Sequence, residues 1–130
     1  MTQEDKELLL KDICARLPYG VIVETPKGKG HVCDINLTIF ETKVGVNINA
    51  TSRDKFNIED IKPYLFPLSS MTEEQKVIYG DLCYSIIQSL AKNMQSELNE
   101  LINWLNAHHF DYRGLIEKGL AIDATNLNIY

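Results

Sequence analysis

The chain has 130 residues, of which 45% are hydrophobic and 24% are charged, as in an ordinary globular domain. Its formal net charge of −5 disfavours binding to a nucleic-acid backbone, which depends on clustered lysine and arginine side chains. No apolar run approaches the roughly 20 residues that a membrane-spanning helix needs, so the composition also argues against a membrane protein.

The first predicted element is an amphipathic helix over residues 3–16. Thr2 is a suitable N-cap, because its hydroxyl can accept a hydrogen bond from a backbone N–H of the first turn. Apolar side chains then recur at helical spacing through Leu9 and Ile13. Pro18 and Gly20 follow, and both residues favour the end of the helix.

A β-rich part is predicted over residues 19–61. Apolar and polar residues alternate over 33–39 and again over 44–49, which predicts two antiparallel strands joined by a tight connection. Residues 50–57 are polar and predict a loop. Residues 58–61 predict a short strand or turn.

Two prolines limit the size of the predicted sheet. Pro63 and Pro67 bracket an apolar stretch, and proline lacks the N–H that a central strand donates. We therefore predict an ordered connector there instead of a strand. The sequence as a whole predicts a small antiparallel sheet of three or four strands, with an SH3-like half-barrel as its candidate topology.

A capping box marks the start of the helical part. Thr72 and Gln75 have the spacing at which each side chain can bond the backbone N–H of the other residue. The apolar stripe that follows has a strict spacing of four, so it drifts around a helix of about 3.6 residues per turn. We therefore predict a break near residues 93–96 and a further helix over 97–107.

The C-terminal segment is predicted to form a short helical turn over 112–118, which Gly119 ends as a C-cap. No repeat and no low-complexity linker divides the sequence. We therefore predict one α+β domain over residues 1–130, with an N-terminal helix, a β-rich part over 19–61 and two or three helices in the part over 72–118.

The cysteines and the first residues indicate the cytoplasm. Cys14, Cys33 and Cys83 lie far apart, so they match neither a disulfide framework nor a zinc ribbon. Each lies at or beside an apolar position, where a free cysteine packs as a small buried hydrophobe. Residues 1–6 are acidic and polar, unlike the basic and then apolar start of a signal peptide. We expect a cytoplasmic protein without a cofactor.

Two long segments carry a resemblance to other proteins. They are residues 62–75, KPYLFPLSSMTEEQ, and residues 104–121, WLNAHHFDYRGLIEKGLA, which together make up about a quarter of the chain. Both resemble an uncharacterised family of short proteins from gut anaerobic bacteria and their prophages. The resemblance implies a setting among prophage or mobile-element genes, and it implies no activity.

A polar cluster follows the predicted third helix, and it consists of His108, His109, Asp111, Tyr112 and Arg113. Two histidines and a carboxylate could bind a metal or transfer protons while the arginine holds an anion. Adjacent helical residues point about 100° apart, however, so the two histidines cannot share a metal within one helix. We favour a structural interpretation, in which His109 packs on the core and Asp111 caps the next turn. We therefore predict neither a catalytic residue nor a metal site.

Two aromatic side chains are candidates for an interface. Tyr79 and Trp104 lie beside the apolar stripes of their helices, where an exposed ring can contact a partner or can form the edge of the core. The second interpretation is the simpler one.

The sequence favours an interaction protein over an enzyme, because it has an ordinary core and no catalytic motif. The leading hypothesis is a non-enzymatic protein-interaction module of prophage or mobile-element origin, which binds another protein or itself. One alternative is a small enzyme or metal-binding protein that uses His108, His109, Asp111 and Arg113 of the polar cluster. The other is a weak nucleic-acid-binding barrel that uses the lysines and the arginine near the hairpin, among them Lys27, Lys29, Lys43, Arg53 and Lys55.

Overall fold

A computed structural model of the chain describes residues 1–49, 52–89 and 94–130. The described chain is an α+β fold with one sheet of six strands and three α-helices. The α+β prediction is therefore confirmed, whereas the prediction of three or four strands is wrong. The SH3-like topology stays a prediction.

The N-terminal helix, α1, covers Gln3–Arg16, as its apolar spacing predicts. The hydroxyl of Thr2 caps it by accepting a hydrogen bond of 3.1 Å from the backbone N–H of Asp5. Leu9 and Ile13 are fully buried and pack with the valines of the sheet. This contact forms the main hydrophobic core.

The sheet contains strands β1 (Ile22–Thr25), β2 (Gly28–Leu37), β3 (Thr42–Asn49), β4 (Ser52–Asn57), β5 (Lys62–Leu65) and β6 (Ile122–Asp123). Their order across the sheet is β4-β3-β2-β1-β5-β6. The predicted hairpin is β2–β3, and its turn lies at residues 38–41. All the pairings are antiparallel except β5–β6, which is parallel.

Two strands occupy segments that the sequence assigned to loops. β4 is an edge strand paired only with β3, and its charged residues suit an edge because they face water. β5 contains Pro63, which the sequence placed in a connector. Pro63 lies in the part of β5 that pairs only with β1, because β6 pairs with the two following residues, Tyr64 and Leu65. At Pro63 the strand is therefore a local edge of the sheet, where a residue without an N–H is tolerated.

The helical part contains α2 (Glu73–Gln88) and α3 (Met94–Ala107). Both hydrogen bonds of the predicted capping box are present at the start of α2. The predicted break near residues 93–96 lies partly outside the described residues, and residues 94–96 already belong to α3. The two helices pack side by side through a second apolar cluster that includes Met71, Leu101, Leu105 and Phe110.

The chain after α3 joins the end of the sheet. Phe66 and Phe110 form a parallel bridge, with the N–H of Phe66 donating to the carbonyl of His109 over 2.8 Å. The predicted helical turn is shorter than expected and covers only residues 115–119. Gly119 ends it with a φ of +74°, which fits the predicted cap.

Cys14 and Cys33 are exposed and Cys83 is half-buried, so the prediction that the cysteines are buried is wrong. Within the described residues, no helix is both long enough and apolar enough to cross a membrane.

Candidate functional site

A fully buried ion pair lies at the centre of the polar cluster. Asp12 and Arg16 are one helical turn apart on α1, and both have 0% exposure. The guanidinium of Arg16 donates to both oxygens of the Asp12 carboxylate, over 2.9 and 3.1 Å. It also donates to the backbone carbonyl of Phe110 over 2.6 Å. The pair therefore fixes the chain after α3 to the inner face of α1.

Two residues of the sequence-predicted cluster join this ion pair. Arg113 donates to Asp12 over 2.8 Å, so one carboxylate holds two guanidinium groups. Both guanidinium groups lie over the ring of Tyr112, at 4.5 Å for Arg113 and 5.4 Å for Arg16. The hydroxyl of Tyr112 donates to the side chain of Asn106 over 2.8 Å.

Asp111 and His108 bond to nearby backbone. The carboxylate of Asp111 accepts hydrogen bonds of 2.9 Å from the backbone N–H groups of Leu115 and Ile116, so it caps the turn that follows. The Nδ1 atom of His108 lies 2.9 Å from the carbonyl of Trp104. His108 therefore contacts the preceding turn of α3, where its ring also lies 4.7 Å from the ring of Trp104.

His109 occupies a position in which glycine is usual. Its φ is +61°, and the N–H of His109 donates to Asn106 while the N–H of Phe110 donates to Leu105. These two bonds define a Schellman motif, which normally places glycine at the left-handed residue. The left-handed backbone turns the imidazole inward, where its ring stacks on the ring of Tyr130 with a centroid distance of 3.6 Å.

Burial controls the protonation of this stacked pair. Burial first, and then the positive charges of Arg16 and His108, lower the pKa of His109 to about 4. His109 is therefore neutral at physiological pH. Burial raises the pKa of Tyr130 to about 12. Its hydroxyl accepts from the backbone N–H of Ile22 over 3.0 Å and donates to the carbonyl of Tyr64 over 2.8 Å.

Two buried polar atoms of the cluster have no hydrogen-bond partner among the described residues, Nη1 of Arg16 and Nδ1 of His109. The described residues contain no group of three His, Cys, Asp or Glu side chains that could hold a metal ion. A surface cavity of about 430 Å³ borders the cluster, and only Asp111 and Tyr112 of the five predicted residues line it. The cluster thus joins α1, α3 and the tail, and it does not converge on one cavity.

Tyr79 and Trp104 lie between α2 and α3. Their ring centroids are 6.4 Å apart, and Trp104 also stacks on Phe110 at 5.7 Å. Both side chains are half-buried members of the second apolar cluster. The structure therefore places these two candidate interface residues at the edge of the core.

The outer side of α2 carries a separate apolar surface. Val77, Tyr84 and Ile87 are 63%, 62% and 67% exposed, and none of the 16 residues of α2 is fully buried. Their spacing places them within an arc of about 80° on one side of the helix. Gly80 lies in the same arc, and a Cβ atom added there would meet nothing within 4 Å. We call Val77, Gly80, Tyr84 and Ile87 the α2 stripe.

The basic residues near the hairpin are interleaved with acids. Lys27 lies 3.6 Å from Asp54, Lys43 lies 3.7 Å from Glu41, and Arg53 pairs with Asp34. Lys29 lies over the ring of Tyr64. This arrangement gives a mixed surface on the strands that the nucleic-acid alternative would use.

No protein-family model, curated protein or solved structure matches this chain.

Several residues of the cluster were missed by the sequence analysis. Asp12 and Arg16 did carry a signal, because they are opposite charges spaced by four on the same face as Leu9 and Ile13. Tyr130 carried no such signal, because its hydrogen-bond partners lie more than 60 residues away in sequence and its stacking partner, His109, lies 21 residues away.

Proposed function

We propose that the protein is a non-enzymatic protein-interaction module, encoded by a prophage or mobile element, that binds its partner through the α2 stripe. The observation that carries the proposal is the exposure of Val77, Tyr84 and Ile87 on one side of a helix. Single exposed apolar residues are normal on protein surfaces, whereas a contiguous apolar patch is typical of a binding surface.

The packing of α2 supports this proposal. Its inner side, with Tyr79, Leu82 and Ile86, already contacts α3 and the second apolar cluster. The α2 stripe lies on roughly the opposite side, so folding of the chain does not cover it. When a partner buries an apolar face that folding leaves in water, the free energy of the system falls, so binding is favoured.

The geometry of the polar cluster favours the interaction module over the alternatives. The side chains that the enzyme hypothesis needs are held by other contacts: Asp111 by backbone N–H groups, Arg113 by Asp12, and His108 by the carbonyl of Trp104. The nucleic-acid hypothesis needs a basic face, and the acids interleaved near the hairpin reduce its charge.

Cross-linking in the host cell tests the proposal. Tagged wild-type protein is compared with the stripe variant, Tyr84→Ser with Ile87→Ser, and with a control variant, Ile39→Ser with Phe40→Ser. Ile39 and Phe40 are 90% exposed at the β2–β3 turn, so the control also replaces two exposed apolar side chains. The proposal expects a polypeptide that the wild type and the control capture and the stripe variant does not. Equal capture by all three proteins would contradict it.

A further inference from the structure

We infer that the partner of the α2 stripe is a basic amphipathic helix of another protein; this rests on the proposed function. Two properties of the surface point to this partner, the shape of the stripe and the charge around it.

The shape of the stripe suits a helix. Val77, Gly80, Tyr84 and Ile87 are spaced by three, four and three residues, which is the a and d spacing of helix-to-helix packing. Gly80 leaves open space between two large side chains, so a facing helix can insert a side chain there and approach closely. From Val77 to Ile87 the stripe is about 15 Å long, enough for nearly three turns of a partner helix.

The charge around the stripe suits a basic partner. The helix α2 carries three carboxylates, those of Glu73, Glu74 and Asp81, and the one ammonium group of Lys76. Lys76 is paired with Glu73 over 3.1 Å, so the carboxylate of Glu73 offsets part of the positive charge of Lys76. Asp81 and Glu74 are exposed on one flank of the stripe. Lysine or arginine at the rim of the partner helix would complement these acids and steer its approach.

The same charges argue against a second copy of this chain. Two α2 stripes that face each other in antiparallel orientation about a twofold axis would bring one acidic flank against another, and juxtaposed like charges disfavour association. A partner of opposite charge avoids this repulsion.

A peptide-binding experiment tests the inference. The probe is a fluorescein-labelled peptide of about 18 residues, which is roughly five helical turns, made only of leucine on one face and lysine on the other. A second peptide has glutamate in place of lysine, and a third has the leucine and lysine residues scrambled. Fluorescence anisotropy measures the affinity of each peptide for the full chain.

Three variants of the protein locate the binding. The stripe variant and Gly80→Gln should each weaken binding of the leucine–lysine peptide by about tenfold or more, because they remove or block central contacts. Gly80→Gln should raise the thermal midpoint, since glutamine is a better helix former than glycine, so unfolding cannot explain its lost affinity. The Ile39→Ser, Phe40→Ser control should change the affinity by less than about twofold.

The charge component is tested separately. Glu74→Gln with Asp81→Asn should weaken binding several-fold and make it less sensitive to salt, whereas Asp60→Asn with Glu117→Gln should not. The glutamate and scrambled peptides should bind much more weakly. Equal binding of the lysine and glutamate peptides would overturn the inferred charge of the partner.

Light scattering on the same samples separates the two proposals. A wild-type dimer that becomes a monomer in the stripe variant would overturn the basic-helix inference and leave the proposed interaction function standing. If both stripe changes leave peptide affinity unaltered and every variant is a monomer, the basic-helix inference fails, and the cross-linking comparison decides the proposed function separately.

Discussion

The imidazole of His109 lies nearly parallel to the phenol ring of Tyr130, with an angle of 11° and a centroid distance of 3.6 Å. This stack joins the end of α3 to the C-terminal residue of the described chain. The hydroxyl of Tyr130 continues the connection to the backbone of β1 and β5 through Ile22 and Tyr64. The stack and these two hydrogen bonds thereby connect the end of α3, the C-terminal residue and the paired strands β1 and β5.

His109 should make the stability of the protein fall in acid. The unfolded chain protonates this imidazole near pH 6.5, whereas the folded protein does so only near pH 4. The unfolded state therefore binds more protons in this interval, and up to about 3 kcal/mol of stability is lost as the pH falls through it. Urea unfolding between pH 7 and pH 4 measures the loss.

His109→Asn provides the comparison, because asparagine tolerates a left-handed backbone and does not titrate. The difference in the free energy of unfolding between wild type and variant should shrink steadily as the pH falls from 6.5 to 4. A constant difference across that interval would contradict the assignment. NMR titration of the three histidines gives a direct check on the pKa of His109.

Tyr130→Phe should destabilise the protein by about 1 kcal/mol, because it removes the bonds to Ile22 and Tyr64 and keeps the stacked ring. The loss should vanish between pH 10 and pH 12, where the wild type must deprotonate a phenol whose pKa the fold raises. Tyr84→Phe, on the exposed side of α2, is the matched control, and its free energy of unfolding should stay within about 0.5 kcal/mol of the wild type. Equal effects of the two changes would refute the role of the Tyr130 hydroxyl.

Asp12→Ala should destabilise the protein by about 3–5 kcal/mol, because it leaves the guanidinium of Arg16 buried without its carboxylate. The double change Asp12→Leu with Arg16→Met should recover part of this loss, since it removes the two fully buried charges and leaves unpaired only Arg113, whose side chain is 16% exposed. Glu73→Ala with Lys76→Ala removes an exposed pair and should cost less than about 1 kcal/mol. Thermal unfolding of the four proteins compares them; an unfolded double variant would contradict the expected recovery.

Two glycines should respond oppositely to alanine. A Cβ atom at Gly30 would lie 2.6 Å from the backbone carbonyl oxygen of Asn47 in the neighbouring strand, so Gly30→Ala should destabilise the protein by about 1–3 kcal/mol. A Cβ atom at Gly80 has open space, and Gly80→Ala should stabilise α2 by about 1 kcal/mol. Chemical denaturation measures the change in the free energy of unfolding for both variants. Changes of the same sign would contradict the predicted clash at Gly30 or the open space at Gly80.

Local patterns account for the elements that the sequence predicted well. The bounds of α1, the β2–β3 hairpin and the capping box of α2 each depend on residues a few positions apart. The errors concern pairing partners that are distant in the chain. β5 became a strand because β1 and β6 lie on either side of it, and β6 comes from residues 122–123.

The sequence by itself determined the α+β class, the N-terminal helix, the hairpin and the acidic balance, because periodicity, caps and charge are local or additive properties. Only the tertiary structure decided that Asp12 and Arg16 are buried, that His109 turns inward onto Tyr130, and that one side of α2 stays in water. These features depend on which surfaces meet when the chain closes on itself. Burial, stacking and pKa values follow from those contacts, and no short window of residues contains them.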